Sequence, residues 1–433
     1  MTKPSLRVTS LGSVAKVISG FAFKSAEFNE TGIPVIKIRN IQLGEIDLTE
    51  TQCVPEHYLS IDIKYHVHFG DILISLTGSH INQPNSVVGR VARYRRGLPK
   101  ALLNQRAGKV LIRKPDKCDT GFLYYHLYVE EIRREIAAFA HGAANQANVS
   151  PGQIESLCLY LPSLPTQRKI AAILSAYDDL IENNRRRIKI MEEMAQNLYR
   201  EWFVKFRFPG HQQAHFNDSP LGPIPEGWEV SSVRNASSLV SRGPSLKYSD
   251  KEGIPVLNQR CVRDGEISLD TIQHAEPLGK NKEHLYLRQY DILINSMGVG
   301  TLGRVSRNVS IIEKMIIHNC ITVVRPDVSR VSAPQLFYCI KDNQTRFESL
   351  GVGATGQTSL RPEVIKETSI LLPTEEVSKQ FSHFVLPLWD QVGVLKRRNE
   401  VLRRTRDLLL PRLISGEVDV SELDIAIPEE AIA

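Results

Sequence analysis

The residues of this chain that could do chemistry are few, and their spacing argues against it. His211 and His215 stand four apart, the spacing at which a helix would aim two imidazoles at one metal ion. The stretch around them, HQQAHFNDSPLGPIPEGW, is rich in Gln, Asn, Pro and Gly and reads as linker. His66-Val-His68 alternates as in a strand and reads as a solvent-facing pair. A metal-dependent nuclease needs paired carboxylates around an activated water, but no Glu-x-Lys occurs, and the single Asp-x-Lys, Asp62-Ile-Lys64, stands six residues after Pro55-Glu56. Gly298-Val-Gly300-Thr-Leu-Gly303 imitates a phosphate-binding glycine run, yet no helical pattern follows it, so it reads as a turn. There is no G-x-x-x-x-G-K-[ST] and no Asn-Pro-Pro-aromatic run. ATP hydrolysis and methyl transfer within this chain are not expected, and no catalytic residue, metal ligand or bound cofactor is assigned.

What remains is binding. The 433 residues carry a net charge of +6, although the last 17, from Glu417 on, hold six carboxylates and no Lys or Arg. Residues 90–117, RVARYRRGLPKALLNQRAGKVLIRKPDK, contain ten Lys or Arg against one Asp, with Tyr94 between them. Such an excess exceeds what solubility needs and points to a polyanionic partner.

The elements that must position such a surface come as two copies. Thr31-Gly-Ile-Pro-Val-Ile-Lys-Ile-Arg39 returns as Glu252-Gly-Ile-Pro-Val-Leu-Asn-Gln-Arg260, and Gly70-Asp-Ile-Leu-Ile-Ser75 as Tyr290-Asp-Ile-Leu-Ile-Asn295. Val88-Gly-Arg-Val91, Leu123-Tyr-Tyr-His-Leu127, Gly142 to Pro151 and Leu164-Pro-Thr166 return in the same order at 302, 336, 353 and 372. Six collinear matches make a tandem duplication. The first part of each copy is rich in Val, Ile, Tyr and Gly and reads as a β-rich domain with a few helices; residues 165–208 and 374–415 are dense in Glu, Arg, Leu and Met and read as long helices.

Those helices carry heptad seams: Ile170, Leu174, Tyr177, Ile181, Asn184, Ile188, Met191, Ala195, Leu198, Trp202 in the first, and Phe381, Val385, Leu388, Val392, Leu395, Asn399, Leu402, Arg406, Leu409, Leu413 in the second. An antiparallel pairing with residue numbers summing to 583 sets Asn184 against Asn399 and Ile170 against Leu413. A facing Asn pair satisfies its own hydrogen bonds and penalises other registers. At ~1.5 Å per residue each helix would reach about 60 Å, a rigid spacer. Pro387 is expected to kink the second helix or to mark a start nearer Leu388. Arg185 to Arg187 and Lys396 to Arg398, with Tyr199, Trp202 and Phe203, read as docking faces for partner helices.

No apolar run approaches the ~20 residues of a membrane span, so a cytoplasmic location is expected. The six scattered cysteines, without Cys-x-x-Cys, read as buried thiols.

With its duplication, its Leu-Pro-Thr boundaries, its heptad helices and Leu409-Leu-Pro-Arg-Leu-Ile-Ser-Gly416, the chain resembles the DNA-specificity subunits of type I restriction-modification enzymes over essentially its whole length. The resemblance implies an α+β chain: two β-rich globular target-recognition domains related by internal duplication and separated by two long antiparallel coiled-coil helices. Residues 1–160 would form the first recognition domain, 161–210 the first spacer helix, 211–222 a linker, 223–370 the second domain, 371–416 the second helix and 417–433 an acidic tail. Each domain would read half of a bipartite, asymmetric site in double-stranded DNA. Two methyltransferase subunits, and restriction and translocase subunits, would bring S-adenosylmethionine, magnesium and ATP. An orphan DNA-binding protein without catalytic partners is the alternative.

Asn and Gln suit adenine edges and Arg suits guanine or phosphate. The candidate contacts are therefore Ser79, His80, Asn82, Gln83 and Asn85 after Ile74, with Arg93, Arg95, Arg96 and Lys100. In the second domain they are Ser296, Met297 and Thr301 from the equivalent loop, with Asn258, Arg260 and Arg263.

Overall fold

Runs of Val, Ile and Leu make the strands, and their hydrogen-bond partners gather them into small sheets. The computed structural model describes residues 7–427 apart from 79–86, 144–145, 250–252, 264–266, 270, 299, 310–313 and 351–358. The chain divides into two compact units, Met1–Glu182 with Glu400–Ala433, and Asn183–Asn399.

In the first unit an antiparallel sheet runs in the order Val91–Arg93, Ile72–Ser75, Ala107–Ile112, Ala15–Ser19. Every residue of Ile72–Ser75 is buried, as an apolar run covered on both faces should be. A second sheet is ordered Cys53–Val54, Ile33–Ile36, Ala101–Leu103, His66–Val67, and Arg7–Ser10 pairs with Cys158–Leu161. Three helices complete the unit: α1 (Thr120–Tyr128), α2 (Glu130–Ala138) and α3 (Pro151–Glu155). Asp119 caps α1 by accepting from the Phe122 amide at 2.8 Å, and Ser150 with Gln153 forms a capping box on α3. The helix α4 (Leu164–Tyr199) follows, ending in a π turn over Arg200–Val204.

The second unit repeats this order: Val305–Arg307, Ile292–Asn295, Ile321–Pro326, Ser237–Arg242 in one sheet, and Glu229–Ser232 paired with Ser369–Leu372. Its helices α5 (Ala333–Asp342), α6 (Gln344–Ser349) and α7 (Pro362–Lys366) stand where α1 to α3 stood in the chain, and α8 (Glu375–Ile414) follows. Where both copies are described, the sequence matches are therefore a duplicated topology. Gly70 (φ 90°) and Tyr290 (φ 68°) hold the same left-handed turn before the buried strand, one of them without the freedom of glycine.

A shared steric demand explains one glycine in each copy. A Cβ on Gly20 would lie 2.2 Å from the Leu103 carbonyl oxygen, and one on Gly243 2.1 Å from that of Ile317, where one sheet's strand passes onto the backbone of the next. Gly20→Ala and Gly243→Ala should each cost about 1 to 3 kcal/mol, because the obstacle is backbone and cannot rotate away. Urea midpoints unchanged from the parent would refute this.

The first core contains one titratable surprise, His126 on α1, which is 1% exposed. Burial holds its pKa down to about 4 from 6.5. The folded chain therefore keeps the imidazole neutral, so the stability is present above pH 6.5 and is lost as pH falls from there toward 4. The loss should reach about 3 kcal/mol. His126→Leu should remove it, so that the variant loses less stability than the parent between pH 7.5 and 4.5; parallel curves would count against this.

In each unit one half of α4 lies antiparallel to one half of α8. Ile170 and Leu174 share the first core with Leu410, Leu413 and Ile414, while Ile188 clusters with Val392 and Leu395 in the second. Asn184 Nδ2 donates to Asn399 Oδ1 at 2.8 Å, both residues being buried. The seams drift from the strict heptad: Asp178, Trp389 and Leu410 are buried, whereas Tyr177, Leu388 and Leu409 are half-buried. A helix of 3.6 residues per turn rotates ~20° per heptad against a 3.5 repeat, which moves the buried seat by one position. Pro387 does not set the start of α8. The helix begins at Glu375 and continues past the proline, which is exposed, so its ring meets solvent rather than a packed neighbour.

The acidic C-terminal segment packs as well. Val420 is buried in the first core, with Val418 and Ile425 against it, and Lys169 Nζ donates to the Ser421 carbonyl at 2.6 Å. Val418, Val420 and Ile425 turn inward between outward carboxylates, so residues 417–427 form a strap on the first unit. Of the cysteines, Cys53, Cys118, Cys261 and Cys320 are buried and Cys339 is intermediate. Cys158 is exposed, correcting the expectation of six buried thiols, because it occupies an outward seat of a strand that alternates.

Candidate nucleic-acid interface

The repeated Asp is an anchor. Asp71 accepts from the His68 amide at 2.8 Å and from Lys109 Nζ at 3.2 Å; Asp291 accepts from the Arg288 amide at 2.8 Å and holds Arg325 in a two-pronged pair at 2.8 and 2.7 Å. Each therefore ties the turn before the buried strand to the neighbouring strand. This motif holds the strand whose far end launches the candidate loop.

In the first unit that strand continues to Thr77–Gly78, which pairs with Gln146–Asn148, itself paired with His141–Ala143. Thr77 Oγ1 donates to Asn148 Oδ1 at 2.8 Å. Two described pieces of the duplicated Gly142–Ser150 motif thus brace Thr77–Gly78, a role their composition did not announce. Ser79, His80, Asn82, Gln83 and Asn85 lie outside the described residues.

The arginine candidates divide by direction. Arg95, a quarter exposed, pairs with Glu182 of α4 at 3.5 Å. Arg96, in the turn that follows, is exposed and lies 5.0 Å over the Phe69 ring. Lys100 is exposed. Arg93 is half-buried beside the enclosed end of the sheet, its Nε shielded from solvent without a hydrogen-bond partner among the described residues.

The second unit corrects two more candidates. Ser296 is fully buried and its hydroxyl shares a 2.6 Å hydrogen bond with Thr322, so it cannot meet a base edge. Asn258 is engaged at both ends of its amide, donating to the Thr271 carbonyl and accepting from the Arg260 amide, each at 2.8 Å. It is a turn-former. Met297 packs on the core around Leu293 and Ile321, and Thr301 closes the glycine turn through Gly298. Arg260 and Arg263 are exposed.

Tyr199, Trp202 and Phe203 are core residues, not docking surface. Ring centroids of Phe203 and Trp202 lie 4.8 and 5.8 Å from Phe381, and Tyr199 lies 5.4 Å from Tyr338. The end of α4 needs aromatic bulk where it enters the second unit's core. The helices keep other faces outward. Arg186, Arg397 and Arg398 are exposed and Arg185 is half-buried. In the first unit Leu180, Val401 and Leu408 are exposed at 51%, 64% and 63%; in the second, Ile190, Met194 and Val394 at 55%, 54% and 45%. Among the described residues no cluster of His, Cys, Asp and Glu could hold a metal ion, and no helix is long and apolar enough to cross a membrane.

Residues 6–193 match the family model described as the type I restriction modification DNA specificity domain. That match spans less than half of the chain. The chain is similar to the putative type I restriction enzyme MjaX specificity subunit of Methanocaldococcus jannaschii, 25% identical over 95% of this chain and 93% of the relative. It is also similar to the EcoKI specificity subunit of Escherichia coli, 22% identical over 95% of this chain and 89% of that one. Its fold is like that of the type I restriction-modification S subunit from M. genitalium, with a TM-score of 0.59 and 15% identity over 95% of this chain and 97% of that one.

Proposed function

We propose that the two units each read one half of a bipartite, asymmetric site in double-stranded DNA, with α4 and α8 fixing the gap between the halves. The carrying observation is one topology present twice with different exposed chemistry, which suits two unlike half-sites on one chain. Phosphate contacts from exposed cations such as Arg96, Lys100, Arg260 and Arg263 position the units; side chains of the loops that follow Ile74 and Ile294 specify bases. The Asn184–Asn399 bond selects one helix register. Two methyltransferase subunits dock on the outward apolar faces, one at Leu180, Val401 and Leu408 and one at Ile190, Met194 and Val394. They carry S-adenosylmethionine, and restriction and translocase subunits carry magnesium and ATP.

The test is a base-resolution map of adenine methylation in cells expressing this chain with its methyltransferase subunit, compared with cells lacking the chain. Two short defined blocks around a fixed unspecified gap are expected. No new methylation from a stable complex would overturn the reading.

A further inference from the structure

We propose that the turns Asn104–Arg106 and His318–Cys320 form a second base-reading element in each unit, with Gln105 and Arg106 discriminating bases in one half-site and Asn319 in the other. This rests on the reading of the two units as DNA readers. The candidate loops lie in one chain segment per unit; these turns lie in another.

The argument is a cradle kept in both copies around a tip that is not. The Asn104 amide donates to the Ile36 carbonyl at 3.0 Å, as that of His318 does to Leu257 at 2.8 Å. The Ala107 amide closes the turn on the Asn104 carbonyl at 2.8 Å, and the Ile321 amide on that of His318 at 3.0 Å. The first side chain pins the third residue in each case, Asn104 Oδ1 accepting from the Arg106 amide at 3.2 Å and His318 Nδ1 from the Cys320 amide at 3.3 Å. The third carbonyl then takes the amide that follows the buried central strand: Leu76 to Arg106 at 3.1 Å, Ser296 to Cys320 at 2.8 Å. Each turn is therefore locked to the root of the loop already assigned to recognition.

On this common frame the side chains differ. Gln105 and Arg106 are exposed, and Arg106 forms no ion pair among the described residues although it lies within the basic stretch 90–117. In the other copy His318 and Asn319 are half-exposed, the largely exposed Tyr248 ring stacks against His318 at 6.1 Å, and Cys320 is turned inward onto Gln259. A rigid frame with altered donors and acceptors is what two readers of unlike sequences need. Arg can take guanine bidentately and Gln or Asn adenine, and Arg106 stands exposed at the tip with no ion pair among the described residues.

The test uses the full chain with its methyltransferase subunit and the same methylation map. Gln105→Ala with Arg106→Ala should let one block accept other bases, discrimination falling about 10- to 100-fold, with the other block unchanged. Asn319→Ala should relax only the other block. Both substitutions leave the backbone cradle in place, and co-purification of the subunits checks assembly. A map unchanged in both variants overturns the inference while the bipartite reading stands. Uniform weakening across both blocks also overturns it, since that is the signature of phosphate contacts. A parent chain that writes no split motif removes the underlying reading and this inference with it.

Discussion

Arg406→Ala is expected to destabilise the first unit by about 3 to 5 kcal/mol. Arg406 sits in the α8 seam and pairs through Nη1 with the buried Asp178 of α4. Its Nη2 donates to the Tyr128 hydroxyl at 3.1 Å and the guanidinium lies 5.1 Å over that ring. Tyr125 donates to the second Asp178 oxygen at 2.8 Å. Burial works against the arginine's charge, but Asp178 and Tyr128 outweigh it and hold its pKa above the ordinary value. Truncating Arg406 leaves a carboxylate enclosed with a single hydroxyl donor, and the unpaired buried charge, rather than the lost attraction, sets the cost. Asp178→Leu combined with Arg406→Leu should recover most of the loss, because neither charge then needs a partner. Urea unfolding of the two single and one double variant checks this; a loss below about 1 kcal/mol for Arg406→Ala would mean that water reaches Asp178 freely.

The second large effect belongs to the other unit. Arg325 uses Nε and Nη2 on Asp291, Nη1 on the His284 carbonyl at 2.9 Å and Nη2 again on the Tyr286 carbonyl at 2.8 Å. The Asp291 side chain is 1% exposed. Arg325→Ala should cost about 3 to 5 kcal/mol for the same reason as above. Arg325→Lys should recover only part of it, since an ammonium cannot span both carboxylate oxygens and two carbonyls. Lys109→Ala in the first unit should cost distinctly less, because Asp71, 18% exposed, can turn to water. Hydrogen exchange locates the damage: Arg325→Ala should lose protection in strands between 229 and 372 and keep it between 7 and 161. Equal loss in both stretches would show that the units unfold together.

These two pairs show where pattern reading stopped. Arg406 stands on the second heptad seam, but its partner Asp178 does not stand on the first, because strict 3.5 spacing chose Tyr177 one position earlier. The signal available was a charged residue on an apolar stripe, which asks for an opposite charge within a turn of the facing position. The docking aromatics failed for a related reason. Tyr199, Trp202 and Phe203 look like an interface when the helix is considered alone, and become core once the second unit closes on them. Among the recognition candidates, Ser296 and Asn258 have the right chemical type, but burial and a local turn engage their polar atoms.

The sequence by itself determined the duplication, the order of β-rich and helical segments, the two heptad seams and the family resemblance, because these are properties of spacing and repetition along one dimension. Tertiary structure decided which polar groups face solvent. It turned Arg95 toward Glu182 and Arg96 outward, enclosed Ser296, folded the acidic strap onto the first core through Val418 and Val420, and brought Asn104–Arg106 beside Leu76. Each of these depends on contacts between residues far apart in the chain. Periodicity says which side of an element is apolar, while only the packed neighbour decides whether a given polar side chain is enclosed, paired or left free to meet DNA.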